Sequence, residues 1–173
     1  HVRSDISTRY HQRTASVPPI VATLAAHYQH KPGHYLAFFS SFAYLEQVMN
    51  AFEQAHPEIP VFGQTRGMQE PEREAFLARF APGGKGIGFA VLGGAFAEGI
   101  DLPGERLIGA FVATLGLPPF NDFNEALKAR LQARFGRGDD YTYRIPGMIK
   151  VIQAAGRVIR SPDDEGVVVL MDD

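Results

Sequence analysis

The sequence predicts an α/β fold, a parallel sheet with helices on both faces. Short apolar runs such as "HYLAFFS", "GIGFAVLGG" and "GVVVLMD" recur along the chain, too short for helices and without the alternation of a half-exposed strand. Between them lie segments of helical period bounded by Pro, Gly and Ser. Strands buried on both sides and joined by helices imply right-handed crossovers and parallel pairing. A Gly-rich loop, "GAFAEGIDLPGE", follows one of the strands, and open parallel sheets bind ligands outside the carboxyl ends of their strands.

Taken in order, residues 1–16 are polar and unpatterned and read as a linker or a disordered arm. Pro18 and Pro19 precede "IVATLAAHYQH", a helix that should stop before Pro32 and Gly33. "HYLAFFS" is a buried strand, and "SFAYLEQVMNAFEQAH" a helix with Ser40 or Ser41 as N-cap and a stop at Pro57. A short strand, "IPVFGQ", leads to the helix "EPEREAFLARF", whose early glutamates suit the positive end of the helix dipole. "GIGFAVLGG" and "RLIGAFVATLG" are the next strands. After Pro118 and Pro119, residues Phe120 to Arg134 read as an amphipathic helix that "GRGDD" breaks. The helix of "QAAGRVIR" then leads into the last strand. No internal repeat and no low-complexity linker divides the chain, so one domain spans residues 1–173.

With 173 residues, 45% of them hydrophobic and 21% charged, the chain can fill one core. A net charge of −2 gives no global attraction to nucleic acid, so any such binding must come from a local patch. The absence of Cys excludes disulfides, thiolate zinc sites and an iron–sulfur cluster within this chain, and a cytoplasmic setting is expected. No apolar run reaches the ~18 residues of a membrane span, and no membrane partner is expected. The chain starts without Met and stops straight after a strand-like run, as a segment of a longer protein would.

Several apparent motifs dissolve on inspection. "APGGKGIG" has the look of a phosphate loop, but Gly86 follows Lys85 where Ser or Thr is required, and the segment precedes a strand; it reads as a turn. "VVVLMDD" imitates a magnesium-holding strand end but has no phosphate loop to serve. His27, His30 and His34 straddle a Pro-Gly break with no carboxylate or thiolate at ligand spacing, so no metal site is expected. Glu98 and Asp101 stand as a carboxylate pair in a loop, of interest for their Gly neighbours.

"QAAGRVIRS" is more informative. If Pro146 opens its helix and Pro162 lies past the end, Gln153, Arg157 and Arg160 share one face with Lys150, while Met148, Val151, Ile152, Ala155, Val158 and Ile159 gather opposite as the core face. The stripe contains no acidic residue, and Gly156 permits close approach of another surface. Planar, permanently charged guanidiniums suit the oxygens of a transferring phosphoryl group. A solvated basic helix face is the plainer reading of that stripe on its own.

Three segments in order resemble the second RecA-like lobe of superfamily 2 helicases, nearest to the DinG/XPD-like DNA helicases. "YLAFFSSF" is similar to motif IV, "GGAFAEGIDLPGE" to motif V and "QAAGRVIRS" to motif VI with its Q-x-x-G-R-x-x-R pattern, and "GVVVLMDD" to the closing strand. The resemblance covers nearly the whole chain. It implies a P-loop NTPase-type second helicase lobe whose partner is the N-terminal lobe of the same protein. That first lobe would bind most of ATP and Mg²⁺ and carry any iron–sulfur cluster.

Carried over by position, Arg157 and Arg160 would reach the γ-phosphate, with Gln153 on the same face and Gly156 beside it. Glu98, Gly99 and Asp101 would couple nucleotide to DNA. Ser40, Ser41 and Phe42, with Gly94 and Phe96, would contact the backbone of single-stranded DNA, where hydroxyls and amides suit phosphates without reading sequence. Ala97 stands where the family often has Trp, so an aromatic contact there is lost. The resemblance implies a DNA-repair type of helicase of 5′ to 3′ polarity. The rivals are a non-catalytic RecA-like module that binds nucleic acid or protein, and a stand-alone flavodoxin-like nucleotide-binding domain.

Overall fold

The computed structural model describes residues 1–93, 96, 102, 106–157 and 165–173. Six parallel strands form one sheet: β1 Val2–Arg3, β2 His34–Phe39, β3 Val61–Gly63, β4 Gly86–Val91, β5 Gly109–Ala113 and β6 Val167–Met171, in the spatial order β1-β6-β5-β2-β4-β3. The helices are α1 Arg13–His30, α2 Phe42–Ala55, α3 Glu70–Ala78, α4 Asp122–Phe135 and α5 Ile145–Ala155. This is the parallel α/β sheet with helices on both faces expected from the alternation of strands and helices.

Side-chain alternation along each strand divides the core into two layers. Tyr35, Ala37, Phe39, Ile87, Phe89, Phe111, Ala113, Val169 and Met171 point to the side covered by α1 and α2. Leu36, Phe38, Ala90, Ala110 and Val112 point to the other, where Phe76 and Phe80 from and after α3 meet Val151 and Ala154 of α5. Phe39 and Phe89 stack across neighbouring strands at 5.7 Å, an aromatic pair on the α1/α2 side.

The amino-terminal segment differs from the linker the sequence suggests. Val2 and Arg3 pair with Leu170 and Met171, Ile6 is fully buried, and Tyr10–Gln12 form a 3-10 turn into α1. Sparse apolar residues concealed this, because a two-residue edge strand needs only backbone groups to join a sheet. Helix α1 also starts earlier than expected, with Pro18 and Pro19 as its sixth and seventh residues. Each proline removes one ladder hydrogen bond. Tertiary packing holds the first turn nonetheless: Ser16 and Val17 are buried, and Ser16 Oγ lies 2.5 Å from Tyr44 OH of α2.

Helix α2 follows the sequence closely, with Ser41 as N-cap accepting from Tyr44 N–H. In α3, Gln69 and Glu72 form a capping box. Helix α4 is not amphipathic in effect: it buries no residue, and Phe123 is exposed. It rests on the π-helical turn Asp140–Arg144 through Tyr143 OH, which donates to Glu125 at 2.6 Å, and not on the core.

Helix α5 departs furthest from its expected orientation. Its buried stripe is Gly147, Val151 and Ala154, whereas Met148 and Ile152, expected in the core, are exposed together with Ile145 and Ile149. The reason lies at Gly147. A Cβ there would stand 2.5 Å from Leu115 O, so only glycine lets the first turn press on the Leu115–Gly116 backbone, and this fixes the helix rotation. The helix ends at Ala155 with Gly156 as C-cap, short of the expected stop near Pro162.

Candidate functional site

The sheet order makes the site. From β2 the chain crosses through α2 to β3 on one side, and from β5 it crosses through α4 and α5 to β6 on the other. Because β2 and β5 are neighbours, their carboxyl ends flank the switch point where a parallel sheet opens a crevice. Ser40 follows one strand and Thr114 the other, and between them lies a crevice of about 690 Å³.

Of the expected nucleic-acid residues, Ser40, Ser41 and Phe42 occupy this edge at the start of α2. Ser40 Oγ accepts from Arg13 Nη2 at 2.8 Å, and the Arg13 guanidinium lies over the rings of Tyr10 and Tyr44 at 5.3 and 5.2 Å. The Ser41 hydroxyl serves its N-cap. Phe42 is half-buried beneath the Arg66 guanidinium, 5.1 Å from its ring centroid. Phe96 is different: its side chain is 1% exposed and packs on Phe76 at 4.5 Å, so any contact from that position is left to its backbone. Gly94, Glu98, Gly99 and Asp101 lie outside the described residues.

The motif VI segment is split. Gln153 is exposed near the end of α5, Gly156 caps it, and Arg157 follows, half-buried, with its N–H donating to Ala154 O at 3.2 Å. Arg157 therefore stands just past the helix and not on its regular face; Arg160 lies outside the described residues. Lys150, the fourth member of the expected stripe, runs close to Gly93, whose φ of +77° excludes most other residues. A Cβ on Gly93 would meet Lys150 Nζ at 3.5 Å. The Lys150 side chain of α5 thus lies beside the first residue of the segment that resembles motif V.

Two residues of the site are not where the sequence suggests. Arg13 sits within the segment taken as a linker, yet it bridges α1 to the motif IV serine. The alternation of basic and aromatic residues in "RYHQR", Arg9 to Arg13, was the available signal. Phe120, expected as the first residue of a helix, instead stands in front of α4, 75% exposed, its ring stacked on Tyr143 at 4.8 Å and 6°. Burial, and then the hydrogen bond to Glu125, pushes the Tyr143 phenol up to about 12, so it remains a donor throughout the ordinary pH range. Among the described residues no cluster of His, Asp or Glu could hold a metal ion, and no helix is long and apolar enough to cross a membrane.

A parallel α/β lobe with its crevice at the switch point and a Gly-Arg turn closing the helix before the last strand is the second half of a helicase motor in form. Residues 24–173 match the family described as the helicase C-terminal domain, and the chain belongs to that family. It is 32% identical over 158 residues to the regulator of telomere elongation helicase 1 homolog of Culex quinquefasciatus, covering 82% of this chain and 16% of that protein. It is 24% identical over 178 residues to the ATP-dependent DNA helicase XPD of Sulfolobus acidocaldarius, covering 99% of this chain and 31% of that protein. A solved apo XPD structure superposes with a TM-score of 0.78 at 20% identity, covering 99% of this chain and 35% of that one. The chain thus spans between a sixth and a third of the length of these relatives.

Proposed function

We propose that this chain is the C-terminal motor lobe of an ATP-dependent DNA helicase of the DinG/XPD-like kind, working opposite an N-terminal lobe of the same protein. The observation that carries this reading is the nearness of Lys150, on the helix that resembles motif VI, to Gly93, the first residue of the segment that resembles motif V, within a chain that belongs to the helicase C-terminal domain family. The outward face of α5 supports it: Ile145, Met148, Ile149 and Ile152 present apolar surface that this chain leaves uncovered, as a lobe facing a second lobe would.

The residues present fit a phosphate better than a metal. Arg157 offers a guanidinium at the short turn after Gly156, where its backbone N–H donates to Ala154 O at 3.2 Å. Among the described residues no group of three or more His, Asp or Glu could hold a metal ion, and on this reading Mg²⁺ and most of the ATP contacts would belong to the first lobe. ATP, when bound, supplies the phosphoanhydride whose hydrolysis drives the opening and closing of the lobes. Arg157 and Arg160 would stabilise charge on the transferring γ-phosphoryl group, with Gln153 on the same side. Holding them at a rigid helix end keeps the clamp in position. Glu98, Gly99 and Asp101 would report that state to the DNA edge at Ser40, Ser41, Phe42, Gly94 and Phe96.

The test is turnover by the isolated chain and by the full-length protein, with and without single-stranded DNA. The reading expects DNA-stimulated hydrolysis from the full-length protein and none from the isolated lobe, which lacks a phosphate loop. Robust hydrolysis by the isolated chain would contradict it.

A further inference from the structure

The crevice between Ser40 and Thr114 extends away from α2, past the amino-terminal segment, to the residues before α4. Two of its lining residues are aromatic and almost fully open to solvent: Tyr10 at 76% and Phe120 at 75%. Each has a rigid backing. Phe120 lies flat on Tyr143, with Lys128 Nζ 6.0 Å from its centroid, and Tyr143 is itself fixed by Glu125. Tyr10 has the Arg13 guanidinium against its ring.

The charges along the wall are not equivalent. Arg9 pairs with Asp173, and Arg144 with Asp139 and Asp140, the former carboxylate also bound by Lys128. Asp172 accepts from Thr8 N–H. Among the described residues Arg13 has no carboxylate partner; its guanidinium donates to Ser40 Oγ and Thr8 O. A cation held by hydroxyl and carbonyl oxygens keeps its charge available to an incoming anion, and the carboxylates of Asp172 and Asp173 would hold that anion to the Arg13–Ser40 side.

We infer that this crevice is a base-stacking subsite for single-stranded DNA. One phosphate lies on Arg13 and Ser40, and flanking bases stack on Phe120 and Tyr10. This rests on the DNA-binding reading of the lobe, and it extends the strand's path from the motif IV serine towards β6. Flat aromatic faces beside a guanidinium with no direct carboxylate pair among the described residues are the chemistry by which single strands are held without sequence choice. Ser40 belongs to both parts of the path.

The test uses the full-length protein, a fluorescently labelled oligothymidylate, and the same oligonucleotide carrying 2-aminopurine. Phe120→Ala and Tyr10→Ala should each weaken binding about tenfold, the loss of one stacked base. Phe120→Trp should restore binding, and Phe120→Leu, apolar but without a π-face, should not. Phe135→Ala, an exposed aromatic of α4 outside the crevice, is the control and should bind as the parent does. Arg13→Gln should lower the slope of log affinity against log salt by about one. Unchanged affinity for Phe120→Ala and Tyr10→Ala in a protein that binds the oligonucleotide would overturn the subsite and leave the helicase reading standing. Full binding by Phe120→Leu would overturn stacking, and an unchanged salt slope would remove Arg13 from the phosphate. Failure of the parent protein itself to bind single strands would bring down the DNA reading first.

Discussion

Helix α2 buries Tyr44, Leu45, Val48 and Phe52 and turns Glu46, Gln47, Asn50 and Glu53 to solvent, whereas α5 buries only Gly147, Val151 and Ala154 and turns Ile145, Met148, Ile149 and Ile152 outward. Both helices cover the same sheet from opposite sides. The α2 side is complete within the chain: its polar face is where an amphipathic surface helix should have it. The α5 side is apolar inside and out, and it carries the motif VI turn at its end. The inner stripe of α5 is made of small residues, which lets the helix approach the sheet, and the large apolar residues are left outside.

Stability measurements on the isolated chain can break this comparison. The largest effect is expected at Phe52, fully buried and in ring contact with Phe89 and His56. Phe52→Ala should cost about 3–5 kcal/mol in denaturant unfolding through the lost burial and the cavity left behind. Gly147→Ala should come next, at about 1–3 kcal/mol, because its Cβ would press on the Leu115 carbonyl and the helix would have to shift. A neutral result there would remove the explanation given for the rotation of α5.

His34, at the start of the central strand β2, sharpens the contrast through pH. Burial, and then the charge of Arg79, lowers its pKa; it lies against the Phe80 ring and beneath Gly84. The folded state therefore resists protonation while the unfolded state protonates near its usual value of about 6.5. The unfolded chain binds more protons below that point, so the stability contributed by neutral His34 is present at higher pH and is lost as pH falls through the unfolded value towards the folded one. Thermal unfolding of the parent should drop more steeply below that pH than that of His34→Gln. Equal slopes would place the titration elsewhere. The smallest effect belongs to the outer face of α5, where Ile152, 63% exposed, should tolerate Ser within about 0.5 kcal/mol in the isolated chain. A large loss there would mean that the face is packed within this chain after all.

Much of the fold was legible because its signals are local. Buried parallel strands read as apolar runs, and of the two serines offered as N-cap of α2, Ser41 takes the place by accepting from a free amide. The misses share one cause, tertiary contact between distant segments. Val2 and Arg3 join the sheet through backbone groups that no side-chain pattern announces, and α1 runs through Pro18 and Pro19 because Ser16 and Val17 are packed. The rotation of α5 depends on one backbone approach at Gly147, which periodicity cannot register. At the candidate site, motif spacing singles out Ser40 and Arg157 as local sequence features, but the burial of Phe96 and the partnership of Arg13 with Ser40 depend on which elements meet across the sheet.

The central claim is that the motif VI arginines serve chemistry and not a solvated surface. It is tested most directly by DNA-stimulated ATP turnover of the full-length protein carrying Arg160→Ala or Arg157→Lys, with single-stranded DNA binding measured alongside. The account predicts a loss of about 10³-fold for Arg160→Ala. It also predicts a clear loss for Arg157→Lys, which keeps the charge and removes the planar fork, with DNA binding retained in both. Near-normal turnover in both variants would contradict it.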